Sequence, residues 1–112
     1  MRPPLRQEIL NQTFDVIRLV RPIVDAVGRR DRDLASQMRR AMSSVALNLA
    51  EGFGTAGGNA RLRFETARGS LCEARAGIGV AIAWGFVSEH DAASALTAMD
   101  ALGGRVFGLS RR

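Results

Sequence analysis

The chain has 112 residues, of which 46% are apolar and 5% aromatic, and its formal net charge is +5. This length suits one domain over residues 1–112 and excludes two, and the apolar content excludes a largely disordered chain. A single cysteine, Cys72, excludes an internal disulfide and a multi-cysteine metal site. No apolar run approaches the ~20 residues that cross a membrane, and the charged start does not resemble a signal peptide. We therefore expect a cytoplasmic protein without membrane contact.

Apolar residues recur at helical spacing along the chain, and no period-two strand pattern occurs. The spacing predicts a first helix from Arg6 to Val27. Pro22 lies inside this helix, where it removes the backbone bond to the Arg18 carbonyl. We therefore expect a kink or a break at Pro22.

The second helix is predicted from Asp33 or Leu34 to Phe53. It carries an apolar stripe and, beside it, a polar stripe that spans about 80° of the helix circumference. Two interpretations of the polar stripe remain open: it satisfies backbone groups at a helix end, or it binds a ligand. A buried Glu51 would need an arginine from another helix or subunit. The polar stripe consists of Gln37, Arg40, Ser44, Asn48 and Glu51.

The third helix is predicted from Asn59, as its N-cap, to Gly85. Glycines lie in its interior at Gly69, Gly77 and Gly79. Because each costs about 1 kcal/mol relative to alanine in a helix, we expect them to allow another backbone to approach closely.

The fourth helix is predicted to begin at Ser88, a natural N-cap, with Asp91 at the capping-box position. The pair Gly103-Gly104 either ends this helix or frays it. Four amphipathic helices joined by short connections predict an all-α fold, an antiparallel up-down-up-down four-helix bundle.

The stretch G-F-G-T-A-G at residues 52–57 fits the pattern of a dinucleotide-binding loop. That pattern requires a preceding strand and an acidic residue at the end of a second strand. Here a helix precedes it, and Glu73 lies inside the third helix. We therefore predict a helix end with Gly52 or Gly54 in the left-handed conformation, which leaves weak phosphate contact at the next helix N-terminus.

Catalytic and metal chemistry have little support in the sequence. His90, the only histidine, is expected to be a solvated surface residue. Cys72 is expected to be a buried, inert thiol, because no histidine is near it in sequence. We therefore predict no enzyme activity, no cofactor and no metal site.

All basic residues are arginines, and their distribution along the chain is uneven. Residues 1–63 contain eleven arginines and six acidic residues, whereas residues 64–112 contain five of each, so the whole excess lies in the first part. Guanidinium forks match phosphate, which predicts nucleic-acid binding along the second and third helices. The alternatives are a solvated face and a genomic bias towards arginine. The candidate nucleic-acid-binding residues are Arg39, Arg40, Arg61, Arg63 and Arg68.

The segment Q-M-R-R-A-M-S-S-V-A-L-N-L-A-E-G-F-G, followed by R-L-R-F-E-T-A-R-G-S-L-C-E-A, resembles a bacterial protein family. These are the small four-helix-bundle proteins encoded in intervening sequences of 23S ribosomal RNA genes, and they include the accessory variability proteins of diversity-generating retroelements. The resemblance covers about residues 34–87. The motif positions that we interpret as structural are Gln37, Asn48, Glu51, Gly52, Gly69, Ser70 and Glu73.

The resemblance implies a non-catalytic bundle that assembles into a homo-oligomeric ring, typically a pentamer. In the retroelement branch it implies a basic protein that binds nucleic acid and a reverse transcriptase. One departure is Thr55, which stands where a basic residue is common. We therefore expect a protein that binds structured RNA or DNA as an accessory or scaffold to a nucleic-acid enzyme or ribonucleoprotein. The alternative is a self-assembling protein–protein interaction module with no nucleic-acid role.

Overall fold

The computed structural model describes residues 3–111, with side chains from Leu5 onwards. Within this range the chain forms four α-helices and no strand. None of the helices is both long and apolar enough to span a membrane. The all-α prediction is confirmed. The helices are α1 (Pro3–Gly28), α2 (Arg32–Phe53), α3 (Gly58–Ala83) and α4 (Glu89–Ser110).

The helices enclose one apolar core, and each helix contacts two neighbours: α1 packs on α2 and α4, and α3 packs on α2 and α4. The resulting body measures 42 × 22 × 18 Å. The buried stripes include most of the apolar positions that the spacing predicts. In α1 the buried face runs through Thr13 and Val16, whereas the neighbouring Phe14 is 40% exposed.

Helix α1 passes through Pro22 without interruption, so of the two expected outcomes, a kink or a break, the break does not occur. Pro22 is exposed, and water can therefore hydrate the carbonyl that loses its backbone donor. Val20 and Ile23, on either side of the proline, are buried in the core and hold both parts of the helix in place.

Two of the helices, α2 and α4, begin at a side-chain N-cap. Asp31 caps α2, and its carboxylate accepts a hydrogen bond from the Leu34 amide at 3.0 Å, an interaction that the sequence interpretation missed. Ser88 caps α4 as predicted and accepts from the Asp91 amide at 3.0 Å. The prediction that Asn59 caps α3 is wrong, because the N-cap is Gly57, two residues earlier, and α3 begins at Gly58.

The glycine-rich connection between α2 and α3 differs from the predicted helix end. Gly52 lies inside α2, and Gly54 has an ordinary φ of −90°, so neither is left-handed. Gly57 takes the positive φ instead, at 70°. Gly103-Gly104 does not end α4, which continues to Ser110.

The interior glycines of α3 have different surroundings. A Cβ at Gly77 would lie 2.6 Å from the Met38 Cγ of α2, so this glycine does allow a close approach, by a side chain and not a backbone. A Cβ at Gly69 or Gly79 would meet nothing within 4 Å, and the prediction is wrong there. Cys72 is exposed and not buried, because it lies about 100° around the helix from the buried Leu71.

Candidate nucleic-acid interface

Helices α2 and α3 border a shallow groove of about 490 Å³, which we call the α2–α3 groove. Residues three and four apart lie on the same side of a helix, so the polar stripe predicted on α2 forms one wall. Three of the five predicted nucleic-acid-binding arginines meet here. The groove is lined by Arg39, Arg40, Ser43, Ser44, Leu47, Asn48, Glu51 and Arg63.

A polar network joins the two walls of the groove. The Arg63 Nε lies 2.9 Å from a Glu51 carboxylate oxygen. The Asn48 amide donates to the Ser44 carbonyl at 2.9 Å and to its hydroxyl at 3.0 Å. The Ser44 hydroxyl in turn lies 2.8 Å from the Ser70 hydroxyl of α3. Glu51 therefore pairs with an arginine of another helix, although both side chains are half-exposed and not buried.

Arg39 and Arg40 extend the groove away from this network. Both are exposed, and neither lies within ion-pair distance of a carboxylate among the described side chains. Among the described residues Arg40 donates only to the Ser36 hydroxyl, at 3.0 Å. These two guanidinium groups therefore keep most of their donors for a ligand.

Comparison with known proteins agrees with the family resemblance of the segment that lines the α2–α3 groove. The model of a family described as 23S rRNA-intervening sequence protein matches residues 7–108. The chain belongs to this family. No curated protein and no solved structure matches the chain.

Some of the family-motif residues of this chain are buried in the helix packing, and others are exposed on the surface. Gly52 is buried against the ring of Phe64, so close that a Cβ there would overlap the ring. Gln37, Gly69 and Glu73 are exposed, and the described residues give the side chains of Gln37 and Glu73 no hydrogen bond or ion pair.

Arg61 does not line the α2–α3 groove. It lies at the end of the bundle, beside a cavity of about 450 Å³ that is also lined by Arg6 and Phe64. Arg6 crosses this end and donates to the Phe53 carbonyl at 3.1 Å. Its Nε is buried and has no hydrogen-bond partner among the described residues. Arg6 was not a sequence candidate, because nothing in its local pattern indicates a contact 47 residues away.

Arg68 lies on a third surface, between α3 and α4. Its guanidinium carbon stands 4.7 Å from the ring centroid of Phe107, and that of Arg111 stands 5.3 Å from the same centroid. The five predicted arginines therefore do not form one stripe, since only Arg39, Arg40 and Arg63 share a surface.

Other arginines are neutralised by acids that are distant in sequence. Arg75 of α3 pairs with Asp100 of α4 through two hydrogen bonds, at 2.6 and 3.2 Å. The hydrogen bond from Arg75 lowers the pKa of Asp100 below its ordinary value. Arg105 reaches Glu8, 97 residues away, at 3.1 Å. No local sequence signal could identify these pairs.

The residues considered for chemistry are isolated. His90 is exposed, as predicted. Within residues 3–111 no group of three or more His, Cys, Asp or Glu side chains is placed to hold a metal ion.

Proposed function

We propose that this protein binds nucleic acid through phosphate contacts in the α2–α3 groove and serves as a non-enzymatic accessory to a nucleic-acid enzyme or ribonucleoprotein. The observation that carries the proposal is the state of Arg39 and Arg40, which are exposed, adjacent and without a carboxylate partner among the described residues. Arg63 adds a third guanidinium to the same groove, partly neutralised by Glu51.

The chemistry of the groove favours the phosphate backbone over the bases. Arginine binds phosphate oxygens in a bidentate manner, and such contacts position a nucleic acid without reading its sequence. None of the residues that line the groove is aromatic, so the groove offers no platform on which a base could stack. We therefore expect binding to depend strongly on salt and weakly on sequence.

The proposal includes an antiparallel up-down-up-down bundle that assembles into a homo-oligomeric ring, as the family resemblance implies, with a pentamer as the expected form. Contacts between α2 and α3 support the antiparallel order, because Met38 meets Gly77, Ser44 meets Ser70, and Gly52 meets Phe64. In a ring, copies of the groove would repeat around an axis and multiply the phosphate contacts.

A second candidate function is a self-assembling interaction module without a nucleic-acid role. Two exposed leucines favour it: Leu47 is 66% and Leu62 63% exposed, and both border cavities that also contain the Glu51–Arg63 ion pair. Protein interfaces commonly have an apolar centre surrounded by a polar rim, and these leucines beside an ion pair would supply both parts.

Salt-dependent fluorescence anisotropy with the double variant Arg39→Gln/Arg40→Gln tests the proposal. Each lost phosphate contact lowers the slope of log affinity against log salt by about 0.7 to 0.9, so we expect the loss of two contacts to lower the slope by about 1.4 to 1.8. The matched control is Arg18→Gln/Arg75→Gln, which removes the same charge from arginines already paired with Asp15 and Asp100.

Unchanged affinity and slope in the groove variant, or an equal loss in the control, would contradict the proposal. Light scattering on the same samples reports the oligomer. A drop to the monomer mass in Leu47→Gln/Leu62→Gln, with no nucleic-acid binding by the unmodified protein, would favour the interaction module instead.

A further inference from the structure

Two arginines share one aromatic ring between α3 and α4. Arg68 and Arg111 both lie over Phe107, whose ring is 39% exposed. Because both distances are measured to the same centroid, the two guanidinium carbons are separated by no more than the total of the two distances, 10.0 Å. We call this group the Phe107 cluster.

Neither guanidinium of the Phe107 cluster is neutralised within the described residues. Arg68 and Arg111 form no ion pair there, and Glu65, one turn before Arg68, does not pair with it. A guanidinium over an aromatic face is held by the ring electrons, while its N–H donors lie at its edge and stay available. The ring therefore orients two cations without using their hydrogen-bonding capacity.

The Phe107 cluster and the α2–α3 groove lie on different sides of α3. Arg63 of the groove and Arg68 of the cluster are five residues apart, which is about 140° around an α-helix and about 7.5 Å along it. Their contacts agree with this separation, since Arg63 reaches Glu51 of α2 and Arg68 lies over Phe107 of α4.

A ligand that contacts both surfaces must bend around one helix. Duplex DNA has a persistence length of about 50 nm and stays straight over a body 42 Å long, so one duplex can reach only one of the two surfaces. A single strand is flexible enough to pass from one surface to the other.

We infer that the Phe107 cluster is a second phosphate-binding site and that the two surfaces together select single-stranded nucleic acid over duplex. The inference rests on the proposed function and specifies its ligand. The strand lies across the groove, turns around α3 and places one phosphate, or two neighbouring ones, at Arg68 and Arg111.

The test is fluorescence anisotropy of a labelled oligonucleotide, measured as the single strand and as the duplex at several salt concentrations. The variants are Arg68→Gln and Phe107→Leu, with Arg75→Gln as the control. Arg75 is two turns from Arg68 on α3 and is already paired with Asp100, so its loss changes the net charge equally without removing an available guanidinium. Phe107→Leu keeps the net charge and removes only the ring.

We expect Arg68→Gln to weaken single-strand binding roughly five- to tenfold at about 50 mM salt and to lower the salt slope by about 0.7. Phe107→Leu should weaken it in the same direction although the charge is unchanged. Arg75→Gln should stay within about twofold, and duplex binding should not respond to the cluster variants more than to this control.

An equal loss of duplex and single-strand binding in the cluster variants would overturn the inference, and so would a loss no larger than that of Arg75→Gln. If Arg39→Gln/Arg40→Gln weakens binding while the cluster variants do not, this inference fails and the proposed function stands. If neither surface responds, both fail. Thermal unfolding checks each variant, and should Phe107→Leu fail to fold, the exposed Arg68 carries the test alone.

Discussion

The two sides of α3 are built differently. Towards α2, small residues and hydrogen bonds bring the helices together: Gly77 receives the Met38 side chain, and Ser70 meets Ser44. Towards α4, long charged side chains cover the surface of the contact, as the Arg75–Asp100 pair illustrates. The contact of α3 with α2 depends on close packing and tolerates few substitutions. The contact with α4 is covered by exposed charged side chains, which can be substituted with little loss of stability.

The family motif likewise contains both packed and exposed residues. Gly52 and Ser70 belong to the close contact between α2 and α3. The arginines at the edges of that contact are exposed and suit a ligand. Substitutions of the small residues packed between α2 and α3 should therefore affect stability, whereas substitutions of the exposed arginines should affect binding or almost nothing.

The largest effect on stability is expected for Gly52→Ala. The new Cβ would come within 2.9 Å of the Phe64 Cζ, in a ring that is only 9% exposed and packed on Phe53. Such overpacking should destabilise the fold by about 2 kcal/mol in urea unfolding. Gly54→Ala is the control, because its φ of −90° is ordinary and its nearest atom would lie 3.6 Å away. Equal losses at both positions would show that the loop, and not the ring contact, is responsible.

Smaller changes in stability, of opposite sign, are expected when two glycines of α3 are replaced by alanine. Gly77→Ala would place a Cβ 2.6 Å from Met38, and after the gain in helix propensity we expect a net loss of about 1 kcal/mol. Gly69→Ala meets open space and should stabilise the fold by up to about 1 kcal/mol. The melting temperatures of the two variants give the sign of each stability change directly. A higher melting temperature for Gly77→Ala would mean that the Met38 side chain moves aside freely.

The smallest effect is expected for Asp100→Asn and depends on pH. The hydrogen bond from Arg75 lowers the pKa of Asp100 in the folded protein, so its contribution is complete above the ordinary aspartate pKa. It is lost as pH falls through the lower, folded-state pKa. The difference in unfolding free energy between the unmodified protein and the variant should therefore shrink from about pH 5 to about pH 2. A constant difference over that range would show that the pair does not contribute to stability.

Local patterns in the sequence were sufficient for much of the fold. The apolar spacing predicted four helices, and the N-cap at Ser88 was correct because a cap is a contact between near neighbours in the chain. At Pro22 local pattern left a kink or a break open, and core packing on both sides of the proline keeps the helix continuous.

The candidate site was predicted only in part. Asn48 and Glu51 were identified as members of the polar stripe of the second helix, and Glu51 pairs with Arg63 of another helix although it is not buried. The five candidate arginines do not share one surface, because five residues turn a helix by about 140° and separate Arg68 from Arg63. They were chosen from their positions along the chain, whereas the surface that each occupies depends on its direction around the helix.

By itself, the sequence determined the helical class, the family and the excess of arginine, since these depend on periodicity, motif and composition. Only the tertiary structure decided which arginines are neutralised and which are available to a ligand. Arg75 and Arg105 lie beside acids 25 and 97 residues away, while Arg68 and Arg111 share one ring. Ion pairs and ring contacts form over a few ångströms of space, and helix packing, not distance along the chain, sets which side chains come that close.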